Sequence, residues 1–182
     1  MEKIITPERI EGERIYLQKP KPSFELANTG YKVAMESYDT ISRYLNWIFD
    51  FSPESYYNYL SSFENSDNHF GYIIYDKDNN FMGFIDLHNY NSENKYAEFG
   101  YWISNKYTGH GYMMEAVALM EKEFSKILSI QKFIIATHHK NTKSQNVALK
   151  SGYELEAVLK RHLYCKFDDK IVDENFYVKF ID

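Results

Sequence analysis

The stretch that most constrains this 182-residue chain runs over residues 97–128. It reads as an apolar, aromatic strand (Ala97–Ile103), a short loop (Ser104–His110) and a long helix opening near Gly111. Gly109 and Gly111 remove both Cβ atoms where the backbone turns from strand to helix, so successive N–H groups can converge on one point. The first N–H groups of a helix lack internal partners and carry the positive end of its dipole. A strand, a glycine turn and a helix start therefore form an anion site suited to phosphate. A plainer reading stays open, because many such turns are only tight connections. The loop is not a Walker loop, since no Gly-Lys-Ser/Thr follows. It is not the dinucleotide fingerprint either, since the third glycine position is filled by another residue.

The rest of the chain supplies a sheet around that unit. Arg14–Gln18, stopped by Pro20 and Pro22, reads as an opening edge strand. Ser23–Glu36 has helical spacing with Ser23 as cap, and Asp39–Phe49 reads as a second short helix. Ser52-Pro53-Glu54-Ser55 is a helix start, with the helix running to about Phe63. Tyr56, Tyr57, Tyr59 and Leu60 spread around it, which fits core packing or contact with a ligand or partner. Phe70–Tyr75, Phe81–Leu87 and Tyr96–Ile103 form an antiparallel meander joined by polar turns. On the helix from Gly111, Val117, Met120, Phe124 and Leu128 share one face. Lys132–Thr137 is a near-continuous apolar strand, as expected when both faces are covered. Asn141–Ser151 is a short helix ended by Gly152. Tyr153–Leu163 and Asn175–Phe180 are two more strands around the turn at Phe167–Lys170. The expected architecture is α+β, a mixed and mostly antiparallel central sheet with flanking helices, in a single domain over residues 1–182.

Composition removes several functional classes. The net charge of -5 leaves no basic footprint for nucleic acid or an anionic membrane, and is mildly favourable for a cationic amine. The lone Cys165 excludes an internal disulfide framework and a cysteine metal cluster. No apolar run approaches the roughly 20 residues needed to span a bilayer, and Met1-Glu-Lys-Ile is no signal peptide, so the expectation is a cytoplasmic protein. His138 and His139 close an apolar strand, where neighbours point to opposite faces, so a shared metal ion is not expected.

With the elements in order, the chain resembles the GNAT superfamily of acyl-CoA-dependent N-acyltransferases, and within it the RimJ/RimL-type protein N-terminal acetyltransferases. The resemblance rests on Asn94-Lys-Tyr-Ala-Glu-Phe-Gly-Tyr-Trp-Ile-Ser104, on Thr108-Gly-His-Gly-Tyr112, and on Asn141-Thr-Lys-Ser-Gln-Asn-Val-Ala-Leu-Lys-Ser-Gly-Tyr153. It covers roughly residues 70–180; the first 65 residues match only in layout. It implies acetyl-CoA as cosubstrate and an amine as acceptor. Thr108, Gly109, His110, Gly111, Tyr112 and Met113 would cradle the pyrophosphate, with Thr108 and Met113 standing where the family has other residues. Pantetheine would pair with the strand backbone at Tyr101, Trp102 and Ile103, where the Ile103 N–H is a candidate donor to the thioester carbonyl. Asn141 and Ser144 would lie near pantetheine and sulfur.

The transfer requires a neutral amine and a proton for the departing thiolate. The RimL-like pattern makes Ser144 the thiolate's partner, because Ala148 occupies the position where many of these enzymes carry an acid tyrosine. The RimL-type glutamate position holds Leu163. Glu98 is the leading replacement as base, with its orientation left open by alternation along the strand; His162, His88 and water remain alternatives. Three functions stay open: an N-terminal acetyltransferase of the ribosomal-protein type, a small-amine acetyltransferase, and a non-catalytic acyl-CoA sensor. The resemblance is also compatible with a homodimer.

Overall fold

The computed structural model describes residues 4–64 and 66–181. The reading of Met1-Glu-Lys-Ile as no signal peptide rests mostly on residues outside this range. Among the described residues no helix is long and apolar enough to cross a membrane.

Strands β1 (Arg9–Glu11), β2 (Ile15–Gln18), β3 (Phe70–Asp76), β4 (Phe81–Asn91), β5 (Tyr96–Ile103), β6 (Lys132–His138), β7 (Glu154–Cys165) and β8 (Lys170–Phe180) form one sheet, in the order β1-β2-β3-β4-β5-β6-β8-β7. Every pair is antiparallel except β5 with β6. That parallel pair is joined by helix α4 (Tyr112–Leu128), the kind of crossover that parallel neighbours require. The remaining helices are α1 (Phe24–Met35), α2 (Tyr38–Ile41), α3 (Pro53–Ser62) and α5 (Thr142–Lys150).

The sheet separates two apolar cores. On one face, Val117, Met120 and Phe124 of α4 are fully buried against Leu17, Ile74, Ile85 and Phe133. On the other, Ala27 and Ala34 of α1 and Tyr56 and Leu60 of α3 pack on Ile73, Phe84 and Trp102. Local chemistry places these helices as the sequence predicts. The Ser23 hydroxyl accepts the Leu26 N–H at 3.1 Å, and Ser52 and Ser55 form a reciprocal capping box around Pro53. On α3, Tyr56 and Leu60 are core, while Tyr57 stacks on the exposed Phe24 at 4.6 Å.

Four expectations change. Arg14–Gln18 is not an edge strand, because the three-residue β1 pairs along its outer side. The Asp39–Phe49 helix is split into α2 and a 3-10 turn at Asn46–Asp50. Asn46 explains the break: its amide donates to the Tyr164 carbonyl at 2.6 Å and accepts the Lys166 N–H at 2.8 Å, pinning this segment to the end of β7. β6 is fully covered on one face only, with Phe133 and Ile135 buried while Lys132, Ile134 and Ala136 are partly exposed. Finally, β8 begins at Lys170, so the β7–β8 ribbon is longer than predicted and absorbs two bulges, with Arg161 at φ +50°.

Candidate active site

The parallel β5–β6 ladder is short. It pairs Tyr96 with Lys132, Ala97 with Phe133 and Glu98 with Ile134, and then stops. Beyond that point β5 stays on β4 while β6 stays on β8, so a gap opens between them. Ser104 donates its N–H to the Met82 carbonyl at 2.8 Å. Antiparallel alternation then turns the N–H groups of Trp102 and Gly100 toward β4, and those of Tyr101 and Ile103 into the gap. The predicted donor Ile103 thus faces the opening.

A cleft of about 340 Å³ extends from this gap. Its walls include Tyr101, Trp102 and Ile103 of β5, Thr108, Gly109, Gly111, Tyr112 and Met113 at the start of α4, and Asn141 and Ser144 of α5. Ten of the eleven predicted cofactor residues therefore meet in one place; the exception is His110, whose exposed ring stays off the lining. Trp102 reaches the wall, yet its indole packs toward the other core, 6.0 Å from both Phe81 and Trp47. The sequence reading missed Lys143 and Lys150 of α5, and the opposite wall at Thr40, Ile41, Tyr44 and Leu45. The two lysines follow from the helical spacing of α5 and its Asn141 cap, a signal present in the sequence but not used.

Gly109 and Gly111 have φ of +84° and +80°, a conformation that costs other residues strain. Gly111 caps α4 and offers no side-chain acceptor, so the first-turn N–H groups face the cleft's end without one. Arg14 holds this turn from outside. Its side chain donates to the His110 carbonyl at 2.8 Å and to the Glu115 carboxylate at 2.9 Å, while its own N–H meets the same carboxylate at 2.8 Å. Glu115, an acid in the first turn of α4, is thereby neutralised locally and does not oppose an arriving anion.

The Asn141 side chain accepts the Ser144 N–H at 3.2 Å, and so caps α5. This leaves the Ser144 hydroxyl for the cleft, where it lies 2.9 Å from the Tyr101 hydroxyl. Burial pushes the Tyr101 phenol up to about 12, with the Ser144 hydrogen bond acting against it. Ala148 is fully buried and contributes no polar group.

Glu98 does not line the cleft. It sits at the last paired position of the β5–β6 ladder and points to the opposite sheet face, where its carboxylate lies 3.4 Å from His88 Nε2 and 3.3 Å from the Asn89 amide nitrogen. His88 is no free imidazole: burial would lower it, but Asp86 and Glu98 dominate and push it up to about 10. It is therefore charged at neutral pH and unsuited to take a proton. His162, half-exposed on β7, lies 3.8 Å from Glu174. Glu174 on β8 was missed; its carboxyl is raised chiefly by burial, opposed by His162 and reinforced by Glu98. Leu163 pairs with Val172 in the β7–β8 ribbon. His138 and His139 stack at 4.7 Å with nearly parallel rings, contrary to the expectation that they face apart, because His139 lies past the end of β6. Their Nδ1 atoms are occupied, by the Lys140 N–H at 2.9 Å and the Asp173 carbonyl at 3.1 Å.

The family of acetyltransferase (GNAT) domains matches residues 14–154, a span that takes in the gap, the glycine turn and α5. The chain belongs to the GNAT acetyltransferase family. It is 29% identical to the ribosomal-protein-serine acetyltransferase of Escherichia coli (strain K12) over 106 residues, 58% of each chain. The alignment thus spans under two thirds of that relative. Among solved structures, RimL, a ribosomal L7/L12 α-N-protein acetyltransferase in complex with coenzyme A, superposes with a TM-score of 0.88 at 20% identity, covering 96% of this chain and 99% of RimL. The microcin C7 self-immunity acetyltransferase MccE, in complex with acetyl-CoA and AMP, gives 0.87 at 22% identity, covering 98% and 99%. At these identities the likeness establishes the GNAT fold, a mostly antiparallel mixed sheet with flanking helices.

Proposed function

We propose that the protein is an acetyl-CoA-dependent N-acetyltransferase that acts on the α-amino group of a protein N-terminus, of the ribosomal-protein type. The observation that carries this reading is the β5–β6 gap, which connects a helix-end anion site with a hydroxyl pair. Relatives named for ribosomal-protein acetylation support the acceptor class.

In this reading the first-turn N–H groups of α4 bind the pyrophosphate. The Tyr101 and Ile103 backbones hold pantetheine, and the Ile103 N–H stabilises the oxyanion as the amine nitrogen bonds to the acetyl carbon. Glu98, on the far side of the gap, takes the proton of the incoming ammonium through water. Glu174 is its nearest understudy. As the carbon–sulfur bond breaks, Ser144 gives a proton to the thiolate, and the second proton leaving the amine nitrogen restores Ser144 through the Tyr101 hydroxyl, leaving a neutral amide and free CoA thiol. The chain acts as one domain, with acetyl-CoA as cosubstrate and a homodimer as a compatible assembly.

One observation favours a second acceptor class. Leu163 of β7 stands where the RimL-type pattern has a glutamate, and MccE, named for self-immunity to microcin C7, shares the fold. A small amine is the acceptor in that case. Free-thiol release from acetyl-CoA against N-terminal peptides and small amines separates the two. Turnover with peptides beginning with Ser supports the first reading, and turnover confined to small amines supports the second. Tight acetyl-CoA binding with no transfer to any acceptor overturns both in favour of a sensor.

A further inference from the structure

We propose that His69, Asp86 and His88 bind a divalent transition-metal ion, zinc(II) being the probe of choice, on the α3 side of the sheet. His69 precedes β3, whereas Asp86 and His88 are alternate residues of β4, so the topology alone brings them together. Asp86 Oδ1 is the shared point, 2.8 Å from His88 Nδ1 and 3.2 Å from His69 Nε2. The three donor atoms lie within 4.8 Å of one another. Ligands at zinc–nitrogen and zinc–oxygen lengths of about 2.1 Å stand about 3.4 Å apart around a tetrahedron; the His69 separation of 3.2 Å is close to this, and the His88 separation of 2.8 Å must widen. Two imidazoles and one carboxylate suit zinc and its first-row neighbours, with a further position left for water.

Two features point to an ion rather than to a simple ion pair. First, His69 Nε2 is shielded from solvent and lies 3.2 Å from Asp86 Oδ1 without a well-aligned hydrogen bond. An imidazole that ligates an ion aims its lone pair at the ion and not at the neighbouring oxygen, so proximity without alignment is what such a site requires. Second, the groups behind the ligands are in place. The Tyr59 hydroxyl donates to Asp86 Oδ2 at 2.9 Å, so Oδ1 is the oxygen turned to the two imidazoles, and Glu98 stands 3.4 Å from His88 Nε2. The ion replaces the proton that His88 Nδ1 shares with Asp86, while Nε2 keeps its proton and donates it to Glu98, the outer carboxylate partner that metal-bound histidines usually have. Gly100, opposite Asp86 in the ladder, makes room: a Cβ there would lie 3.0 Å from both carboxylate oxygens and 3.2 Å from the His88 ring.

The other grouping of this kind, His138, Cys165 and Asp168, is less suited. His138 Nε2 is likewise shielded and unpartnered, but the Cys165 thiol donates to the Arg43 carbonyl at 3.6 Å, and Asp168 is exposed and paired with Lys170 at 3.2 Å. Bound at the first site, the ion ties the segment before β3 to β4 and fixes the tautomer of His88.

The test is zinc(II) titration of chelator-treated protein by calorimetry, with metal content measured after dialysis. The expected result is one ion per chain, a raised thermal midpoint, and affinity reduced at least about 100-fold in His69→Gln and Asp86→Asn, with Cys165→Ser unchanged. His69→Gln keeps the test decisive if Asp86→Asn does not fold. Cobalt(II) substitution should give visible bands without thiolate-to-metal charge transfer. No uptake, uptake unchanged in His69→Gln, or a thiolate charge-transfer band would overturn the proposal. None of these readouts depends on acetyl transfer, so the outcome stands apart from the fate of the proposed activity.

Discussion

The two faces of β5 are built by different rules. On the α4–α5 side, the cleft is made largely of backbone: the gap beside Tyr101 and Ile103, the glycine turn, and the start of α4. On the α1–α3 side, the polar chemistry is made of side chains, with Tyr59, His69, Asp86, His88 and Glu98 collected from a helix, a connection and two strands. Backbone sites follow from local sequence, since glycine positions and a strand-to-helix turn fix them. Side-chain clusters depend on which strands pair and in what register.

The largest expected effects test whether the two faces serve one reaction. Ser144→Ala removes the hydroxyl on the cleft side and Glu98→Gln the carboxylate on the other. Each should lower kcat by about 10²-fold or more, within the range for lost proton transfer, while acetyl-CoA affinity changes little. Single-turnover kinetics alongside equilibrium binding check this. If Glu98→Gln leaves kcat intact while Ser144→Ala does not, the far face is not part of the chemistry and the comparison breaks.

Next in size are two substitutions confined to the cleft side. Phe124→Ala empties a fully buried position under α4 and should destabilise the protein by about 3–5 kcal/mol, read by denaturant unfolding. Gly111→Ala places a side chain at φ +80°, with Met114 Cε 3.2 Å from its Cβ. The left-handed conformation costs roughly 1–2 kcal/mol, so acetyl-CoA should bind about tenfold more weakly with kcat little changed. A drop in kcat with unchanged affinity would show that the turn serves the reacting atoms and not the phosphates.

This contrast explains what could be read in advance. The glycine turn, the Ser23 and Ser52 caps, the meander and the Asn141 helix were legible because each is set by residues a few positions apart. β1 was not, since three residues carry no periodicity. The break in the Asp39–Phe49 segment was not either, since Asn46 is claimed by residues about 120 positions away. The orientation of Glu98 was undecidable from alternation alone, which gives two faces without saying which holds the helix. The β4–β5 register settles it by placing Glu98 opposite His88. The ionisation of His88 was likewise invisible, because it comes from carboxylates on two different strands.

The smallest expected effect probes where the two rules meet. Arg14, on the segment leading into β2, is a side chain that supports a backbone site through the His110 carbonyl and Glu115. Its side chain is 46% exposed, so the ion pair with Glu115 is screened and should contribute no more than about 1 kcal/mol to stability. Arg14→Gln should therefore lower Tm by only about 2–4 °C. The same change leaves the Glu115 carboxylate unpaired in the first turn of α4, close to where an anion would sit. Its charge then opposes the phosphates, and acetyl-CoA affinity should fall a few-fold, within the roughly 0.3–1 kcal/mol of a charge near a helix end. The double variant Arg14→Gln with Glu115→Gln should recover most of that loss in a binding titration. Recovery assigns Arg14 an electrostatic task. A loss that persists in the double variant assigns it the task of holding the His110 carbonyl, and with it the shape of the turn.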